Sequence, residues 1–403
     1  MLLDERTLAL HRDATVFLGY VNPACHYRKD AFDYSWFTSD DPRVQGSSPR
    51  MRQGGVDVAA LSFGVICEAT GPADEQGNAS GPLWGPLFPE AEHKQYFIRH
   101  LDGLRREMDR HTDEMAPARS TADIRRINGE GKLAVMLHMT GAWVNHDLAV
   151  LGAYHRLGVR GIHIAVEGLK GVADSSDDEP EFGGLSHFGK DLVREMNRLS
   201  MVIDVSHAAD STVRDVLELT DDPIIASHSN ARALCDINRN LPDELIRGVA
   251  EKGGVVGLHF ASGMIERTTQ TDRAADDFLR GYLLKTKALM QQHPDPYDYL
   301  AHRFSYEHNA ADFEAPPDDN PRPPPASLAK LVDHIDYLVN LVGIDHVGIG
   351  SDYDLSDIPE ELNNASKLPN LTAELLCRRY SDEDIKKIWG GNFMRVYEQV
   401  IGE

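Results

Sequence analysis

The chain has 403 residues, with 64 acidic and 41 basic side chains and a formal net charge of −23. Hydrophobic residues make up 41% and charged residues 26%, which is typical of globular proteins and excludes disordered or fibrous chains. No apolar run approaches the roughly 18–20 residues that span a bilayer. The acidic balance argues against both nucleic acids and anionic membranes as partners.

The cysteines and the first residues point to a cytoplasmic protein. Cys25, Cys67, Cys235 and Cys377 are widely spaced and form no CxxC pair, so free thiols are expected. The start, MLLDERTLALHRD, lacks the apolar stretch of a signal peptide. We therefore expect a protein of the reducing cytosol.

Short apolar runs, rich in β-branched residues, alternate with amphipathic stretches along the chain. Near-continuous apolar runs are typical of strands buried on both faces of a parallel sheet. There are eight of them: ATVFLGYVN, VDVAALSFGV, KLAVMLHMTG, GIHIAVE, MVIDVSH, PIIASHS, GVVGLHF and HVGIGSDYD. The stretches between them have helical periodicity, and several end in Gly, as in HDLAVLGAYHRLGV and PDELIRGVAEKGG. This order predicts an α/β fold, a single (β/α)8 TIM-type barrel over residues 1–403. An open doubly wound sheet is the alternative, but no Gly-rich phosphate loop follows the first run.

Two stretches interrupt the alternation, at about 23–50 and 266–326. The first contains Trp36, and the second ends in FEAPPDDNPRPPPAS, which excludes regular structure. Both follow strand C-terminal ends, where barrel active sites are built. We expect these stretches to form lids or oligomer contacts, and the alternative is that they are ordinary surface loops.

Polar residues stand at the ends of three runs. The fifth ends in Asp204-Val-Ser-His207, the sixth in Ser227-His228-Ser229 and the eighth in Gly350-Ser351-Asp352. Imidazoles bind Zn²⁺, and a nearby carboxylate can take a proton from attacking water. Two histidines and an aspartate at matching depth therefore favour a metal hydrolase over side chains that only cap strands.

Two long segments carry a specific resemblance to a known family. They are GKDLVREMNRLSMVIDVSHAADSTVRDVLE with PIIASHSNARALCDINRNLPDELIRGVAEKGGVVGLHF, and HIDYLVNLVGIDHVGIGSDYD followed by SKLPNLTAELL. The chain resembles the renal (membrane) dipeptidase family of the amidohydrolase superfamily from about residue 8 onwards. The resemblance implies a (β/α)8 barrel that cleaves dipeptides with two zinc ions and often forms a homodimer.

The resemblance also implies roles for four residues. His207 and His228 match the two histidines that bind one zinc, and Asp352 matches the catalytic acid/base. Arg239, in NRNLPDE, matches the arginine that holds the substrate carboxylate, a task suited to its planar fork of donors. The alternative for Arg239 is a structural salt bridge to a nearby carboxylate, Asp236 or Asp243.

The chain departs from the family at the other metal. The family's first strand ends in Asp-Gly-His-x-Asp, whereas this chain has Tyr20 and Asn22 in place of the histidine and the second aspartate. Thr140 stands nearest to the family's bridging glutamate, and Val166, followed by Glu167, replaces a substrate-binding histidine. Two dications need anionic ligands, so we expect one zinc per barrel or none.

The third ligand of the remaining metal is left open by the sequence. His138, Glu167 and Asp352 are candidates, since a catalytic zinc usually has three protein ligands. His138 would lie deeper, and a hydrogen-bonded core histidine is an equal alternative. His259 and His26 are further candidates.

We weigh three hypotheses. The first is a dipeptidase-like metallohydrolase of a small carboxylated substrate, in which Asp352 shuttles the proton and Arg239 holds the carboxylate. The second is a repurposed enzyme of the same fold with a different reaction, with or without a metal, in a biosynthetic pathway, in which Tyr20 is an acid/base or a hydrogen-bond donor. The third is a non-catalytic binding protein. In addition to Arg239, we assign substrate binding to Asn22, Thr140 and His138.

Overall fold

Eight parallel strands close into a barrel. The structure, a computed structural model, describes residues 3–22, 32–42, 44–64, 67–68, 85–86, 92–267, 286–296, 298–299, 325–354 and 357–403. The strands are β1 Val16–Val21, β2 Val56–Phe63, β3 Cys67–Glu68, β4 Gly85–Pro86, β5 Met115–Ala118, β6 Leu133–Met139, β7 Val159–His163, β8 Val202–Asp204, β9 Ile225–Ala226, β10 Val255–His259 and β11 Val347–Tyr353. Around the barrel the order is β2, β1, β11, β10, β9, β8, β7 and β6, and pairing of β2 with β6 closes the ring. The eight predicted strands and the TIM-type barrel are confirmed.

Three short strands were not predicted. β5 pairs with the first half of β6, and β7 pairs with its second half. β3 and β4 form a separate antiparallel pair. β5 has only four residues, MAPA, and a proline among them, so it lacks the apolar run that marks the barrel strands.

Helices connect the strands and cover the barrel. They are α1 Glu5–Asp13, α2 Ser48–Gln53, α3 His93–Arg110, α4 Thr121–Gly129, α5 Leu148–Arg156, α6 His187–Arg198, α7 Asp210–Leu219, α8 Asp243–Glu251, α9 Ser262–Ile265, α10 Leu328–Val342, α11 Pro369–Cys377, α12 Asp382–Lys386 and α13 Asn392–Ile401. The local sequence explains α6: the Ser186 hydroxyl accepts from Gly189 N at 2.9 Å, and Leu192, Val193 and Met196 form one buried face. Within the described ranges, no helix has the length and apolar character needed to cross a membrane.

The C-terminal helix α13 closes one end of the barrel. A Cβ added at Gly19, Gly257 or Gly348 would lie 2.6 to 3.0 Å from the Phe393 ring, so these three glycines make room for it. Residues that open β8, β9 and β10 belong to the same buried cluster as Phe393. α13 therefore lies at the N-terminal ends of the strands, and the C-terminal ends are left for a site.

The first insertion packs partly into the core. Trp36 and Phe37 are buried within the main hydrophobic cluster. Residues 23–31, which include His26, and most of 266–326 lie outside the described residues. The predicted lids or oligomer contacts therefore stay predictions.

Candidate active site

Side chains from several strand ends meet at the C-terminal mouth of the barrel. His207 follows β8, His228 follows β9, and Asp352 lies in β11. His207 and Asp352 have φ angles of 71° and 62°, in the left-handed region that non-glycine residues rarely adopt. Such strain is concentrated at functional sites. The structure thus brings the two predicted metal ligands and the predicted acid/base together.

The rings of His207 and His228 face each other through their Nε2 atoms, which lie 3.1 Å apart. Nδ1 of His207 lies 2.7 Å from Oε2 of Glu167. An ionised carboxylate only accepts, so Nδ1 carries the proton and Nε2 keeps its lone pair. Burial and the charge of Arg239 lower the pKa of His207, although Glu167 opposes them. Burial, with His207 and Arg239, holds the pKa of His228 well below its usual value. Both rings are therefore neutral at pH 7, as metal ligands must be.

Two carboxylates lie near this pair, in the connection that follows β7. Burial alone raises the pKa of Glu167, but the neighbouring His207 and Arg239 outweigh it and lower the pKa to about 2. The surrounding protein and the Glu167 charge raise the pKa of Asp177 to about 6, although the residue as a whole is exposed. Sequence reasoning missed Asp177, because the acidic run DSSDDEP resembles any solvated loop.

A buried polar network contacts His228 on its Nδ1 side, away from His207. Its Nδ1 lies 2.8 Å from the Ser227 hydroxyl. The Asp204 carboxylate accepts from Ser227 N and from Ser206 N, each at 3.0 Å, and lies 2.8 Å from Nε2 of His163. Burial raises the pKa of Asp204, but the His163 charge and hydrogen bonds from His163 and Ser227 lower it overall, so the carboxylate stays ionised. The sequence signal was a polar residue inside an otherwise apolar strand, at His163 in GIHIAVE.

Asp352 presents one oxygen to the protein and one to the site. Oδ2 lies 3.0 Å from Nε2 of His259. Oδ1 is buried and has no hydrogen-bond partner among the described residues. Ligand atoms of His228, His259 and Asp352 lie within 4.8 Å of one another, which makes these three a possible metal site.

Neutral side chains surround Tyr20, at the position where the resemblance implies the family's other metal. The Tyr20 hydroxyl lies 3.3 Å from Oγ1 of Thr140 and accepts from Nδ2 of Asn22 at 3.2 Å. Oγ1 of Thr140 lies 2.8 Å from the Ser62 hydroxyl. The Tyr20 ring stacks on His228 with centroids 3.9 Å apart. Within the described ranges, no group of three metal-binding side chains surrounds Tyr20.

Arg239 faces the same mouth without an ion-pair partner among the described residues. Its Nη1 is buried and makes no hydrogen bond. The predicted alternative of a salt bridge to Asp236 or Asp243 is not formed, because Asp243 accepts from Tyr337 and pairs with Arg247. The guanidinium instead contributes to the lowered pKa of Glu167, so it lies on the Glu167 side of the mouth.

His138 lies in a deeper layer than the prediction required. It is completely buried, and its Nε2 lies 2.7 Å from the Tyr397 hydroxyl of α13. Burial lowers its pKa to about 3. The assignment of His138 to substrate binding is therefore corrected to core packing at the α13 end. Of the other candidates from the sequence, Asp352 and His259 lie with His228 in the possible metal site, whereas Glu167 is hydrogen-bonded to His207.

Comparison with known proteins gives a consistent result. The model of the family "Membrane dipeptidase (Peptidase family M19)" matches residues 4–401. Dipeptidase aclJ of Aspergillus oryzae is 30% identical over 379 residues, 93% of this chain and 74% of the relative. Dipeptidase tcpJ of Claviceps purpurea is 30% identical over 340 residues, 81% of this chain and 67% of the relative. The crystal structure of the probable dipeptidase PvdM from Pseudomonas aeruginosa superposes with a TM-score of 0.77, at 28% identity and 98% coverage of both chains.

Proposed function

Because the chain belongs to the membrane dipeptidase family, peptidase family M19, we propose that it hydrolyses an amide or related bond of a small carboxylated substrate with one zinc ion per barrel. The observation that carries the proposal is the pair of facing Nε2 atoms of His207 and His228, 3.1 Å apart. His207 already carries its proton on Nδ1, so its Nε2 lone pair points at its neighbour. Two imidazole nitrogens in this arrangement suit a cation between them.

The residues at this position fit zinc. Two nitrogen ligands of tetrahedral zinc, each at about 2.0–2.1 Å, lie roughly 3.3 Å from each other, close to the spacing of this pair. The buried, unpartnered Oδ1 of Asp352 supplies a carboxylate within reach of His228. His207 and His228 would hold the ion with Asp352 as the nearby carboxylate, although among the described residues only His228, His259 and Asp352 place their ligand atoms within 4.8 Å of one another. When bound, the ion would act as a Lewis acid toward a carbonyl oxygen.

The residues at the other position do not fit a metal. Tyr20, Asn22 and Thr140 are neutral and hydrogen-bonded to one another, and the Tyr20 ring fills space against His228. A dication there would have no anionic ligand from these three side chains. The proposal is therefore limited to one metal.

The chain's own residues bind the substrate, transfer the proton and donate hydrogen bonds. Arg239 binds the substrate carboxylate through the fork whose Nη1 has no protein partner. Asp352 shuttles a proton from the attacking water to the leaving amine. The Tyr20 hydroxyl, with Asn22 Nδ2 beside it, offers hydrogen bonds to the polarised carbonyl oxygen.

A metal-free reaction in the same pocket is the second candidate. The observation that favours it is the hydroxyl cluster around Tyr20, whose phenol could itself donate a proton. In that case turnover would survive a chelator and depend on Tyr20. A homodimer, expected from the resemblance, stays a proposal that sedimentation analysis would test.

Metal content and turnover test the proposal together. Protein purified without added zinc and then dialysed against limiting zinc should bind one ion per chain. His207→Ala with His228→Ala should bind none, while His187→Ala, at a side chain 96% exposed, serves as the matched control. A screen of L,L- and L,D-dipeptides and N-acyl amino acids should reveal hydrolysis that needs zinc and Asp352. Two tightly bound ions per wild-type chain, or turnover that is indifferent to chelation, would overturn the one-zinc mechanism.

A further inference from the structure

His259 is the member of the possible metal site whose role the sequence leaves open. It ends β10, is nearly buried, and lies beside Asp352. We propose that His259 is not a metal ligand but a positioning residue, whose Nε2–H holds Asp352 so that Oδ1 faces the metal histidines. The inference rests on the proposed function, since it specifies how that site presents its carboxylate.

The hydrogen bonds of the ring decide which nitrogen carries the proton. The backbone N–H of Ala261 donates to Nδ1 at 3.1 Å, so Nδ1 has a lone pair. In a neutral imidazole the other nitrogen then bears the proton, so Nε2–H donates to Oδ2 of Asp352 at 3.0 Å. A ring turned by 180° would place a C–H against the Ala261 N–H and lose both bonds. Nε2 therefore has no lone pair for a metal.

The surrounding backbone keeps the ring in this position. His259 N donates to Oδ1 of Asn230, and Nδ2 of Asn230 donates back to His259 O, both at 3.0 Å. Phe260 N donates to Ser351 O at 3.0 Å, which ties the end of β10 to the residue before Asp352. Because Oδ2 is occupied by His259, only the buried Oδ1 is left for the site.

Histidine ¹⁵N spectroscopy of the full chain tests the tautomer directly. We expect His259 in the Nε2–H form both without zinc and after zinc loading, whereas His228 should show Nε2 bound to the ion after loading. Asp352→Asn should shift the His259 Nε2–H resonance, because its acceptor changes from a carboxylate to an amide oxygen. A His259 that binds zinc through Nε2, or a resonance unmoved by Asp352→Asn, would overturn the inference.

Zinc affinity, measured by chelator competition, gives an independent readout. His259→Gln keeps an N–H donor near the Nε2 position, so its affinity should stay close to that of wild type. His259→Ala should lose about 10- to 100-fold, the usual cost of removing a group that orients a ligand. If His259 were a ligand, the Gln variant would fall as far as His228→Ala. If the wild-type chain binds no zinc, the one-zinc proposal fails. The role of His259 is then still decided by the spectrum of the zinc-free protein and by its change in Asp352→Asn.

Discussion

Placing the ligands implied by the family resemblance at the second metal position tests the proposal that this barrel holds only one zinc ion. The perturbation is Tyr20→His, Asn22→Asp and Thr140→Glu in one chain. These changes replace a neutral, hydrogen-bonded cluster with an imidazole and two carboxylates. If the neutral residues alone exclude the ion, the triple variant should bind two zinc ions per chain.

Without zinc, the triple variant should have a lower free energy of unfolding than wild type, because several contacts are lost. The Tyr20 stack on His228, at 3.9 Å, is worth about 0.5–1.5 kcal/mol beyond its buried area. The hydrogen bond between Thr140 and Ser62 contributes about 1 kcal/mol. Leaving the new carboxylates without partners adds about 1–3 kcal/mol. A total near 4 kcal/mol corresponds to a melting temperature lower by roughly 5 °C for a chain of this size.

Zinc should reverse this loss in the triple variant. At about 100 times the dissociation constant, a bound ligand adds roughly 2.7 kcal/mol of stability. The assays are metal content after equilibrium dialysis and thermal melting across a zinc titration. Tyr20→Phe with Thr140→Val is the matched control, since it removes the same hydroxyls and adds no ligand. The reasoning would be refuted if the triple variant bound one ion per chain and if zinc raised its melting temperature no more than that of wild type.

Three further predictions follow from single residues. Arg239→Lys should weaken a bound dipeptide about ten- to hundredfold, since charge-assisted bonds are worth roughly 1.5–3 kcal/mol and the bidentate fork is lost. Isothermal titration calorimetry measures this affinity, and the same dipeptide with a C-terminal amide is the control ligand. If Arg239→Lys instead lowered the melting temperature strongly and left the affinity unchanged, the arginine would have a structural role. Glu167→Gln should lower zinc affinity by about 10- to 100-fold, because His207 loses the carboxylate that fixes its tautomer; equal affinity in chelator competition would contradict this. The pKa of Asp177 is raised to about 6 from 3.8, so the stability of the folded chain falls as pH rises through that range. Asp177→Asn should therefore melt higher than wild type at pH 8 and show little difference near pH 4.

The barrel could be predicted because its strands are buried on both faces. A parallel strand such as β6 has no solvent-facing side, so LAVMLHM is apolar almost throughout and stands out from the helical stretches. β5 lacks this signal, since its four residues include an exposed proline and pair with only half of β6. The sequence therefore predicts the closed ring and misses the strand that only supports it.

The site could be predicted only as far as strand ends determine it. His207 and His228 follow the adjacent strands β8 and β9, and Asp352 lies near the end of β11, two strands further on. The geometry of a barrel brings such ends together. The partners of these residues depend on distances that the sequence does not contain. Glu167 bonds to His207 across 40 positions, and His138 bonds to Tyr397 across 259. His138 was misassigned for this reason: alternation places it inside the barrel but does not give its depth, which the contact with α13 sets.

Charge balance at the mouth supports the proposal of a single metal. The three positive charges of one proposed zinc dication and the Arg239 guanidinium face three carboxyl groups, those of Glu167, Asp352 and Asp177. A second dication without added carboxylates would leave two more positive charges in a buried mouth, at a high desolvation cost. Reversing a single position, such as Thr140→Glu, supplies only one negative charge and no imidazole. We therefore expect single reversions to destabilise the zinc-free chain without adding a metal, so that the second ion returns only when all three ligands do.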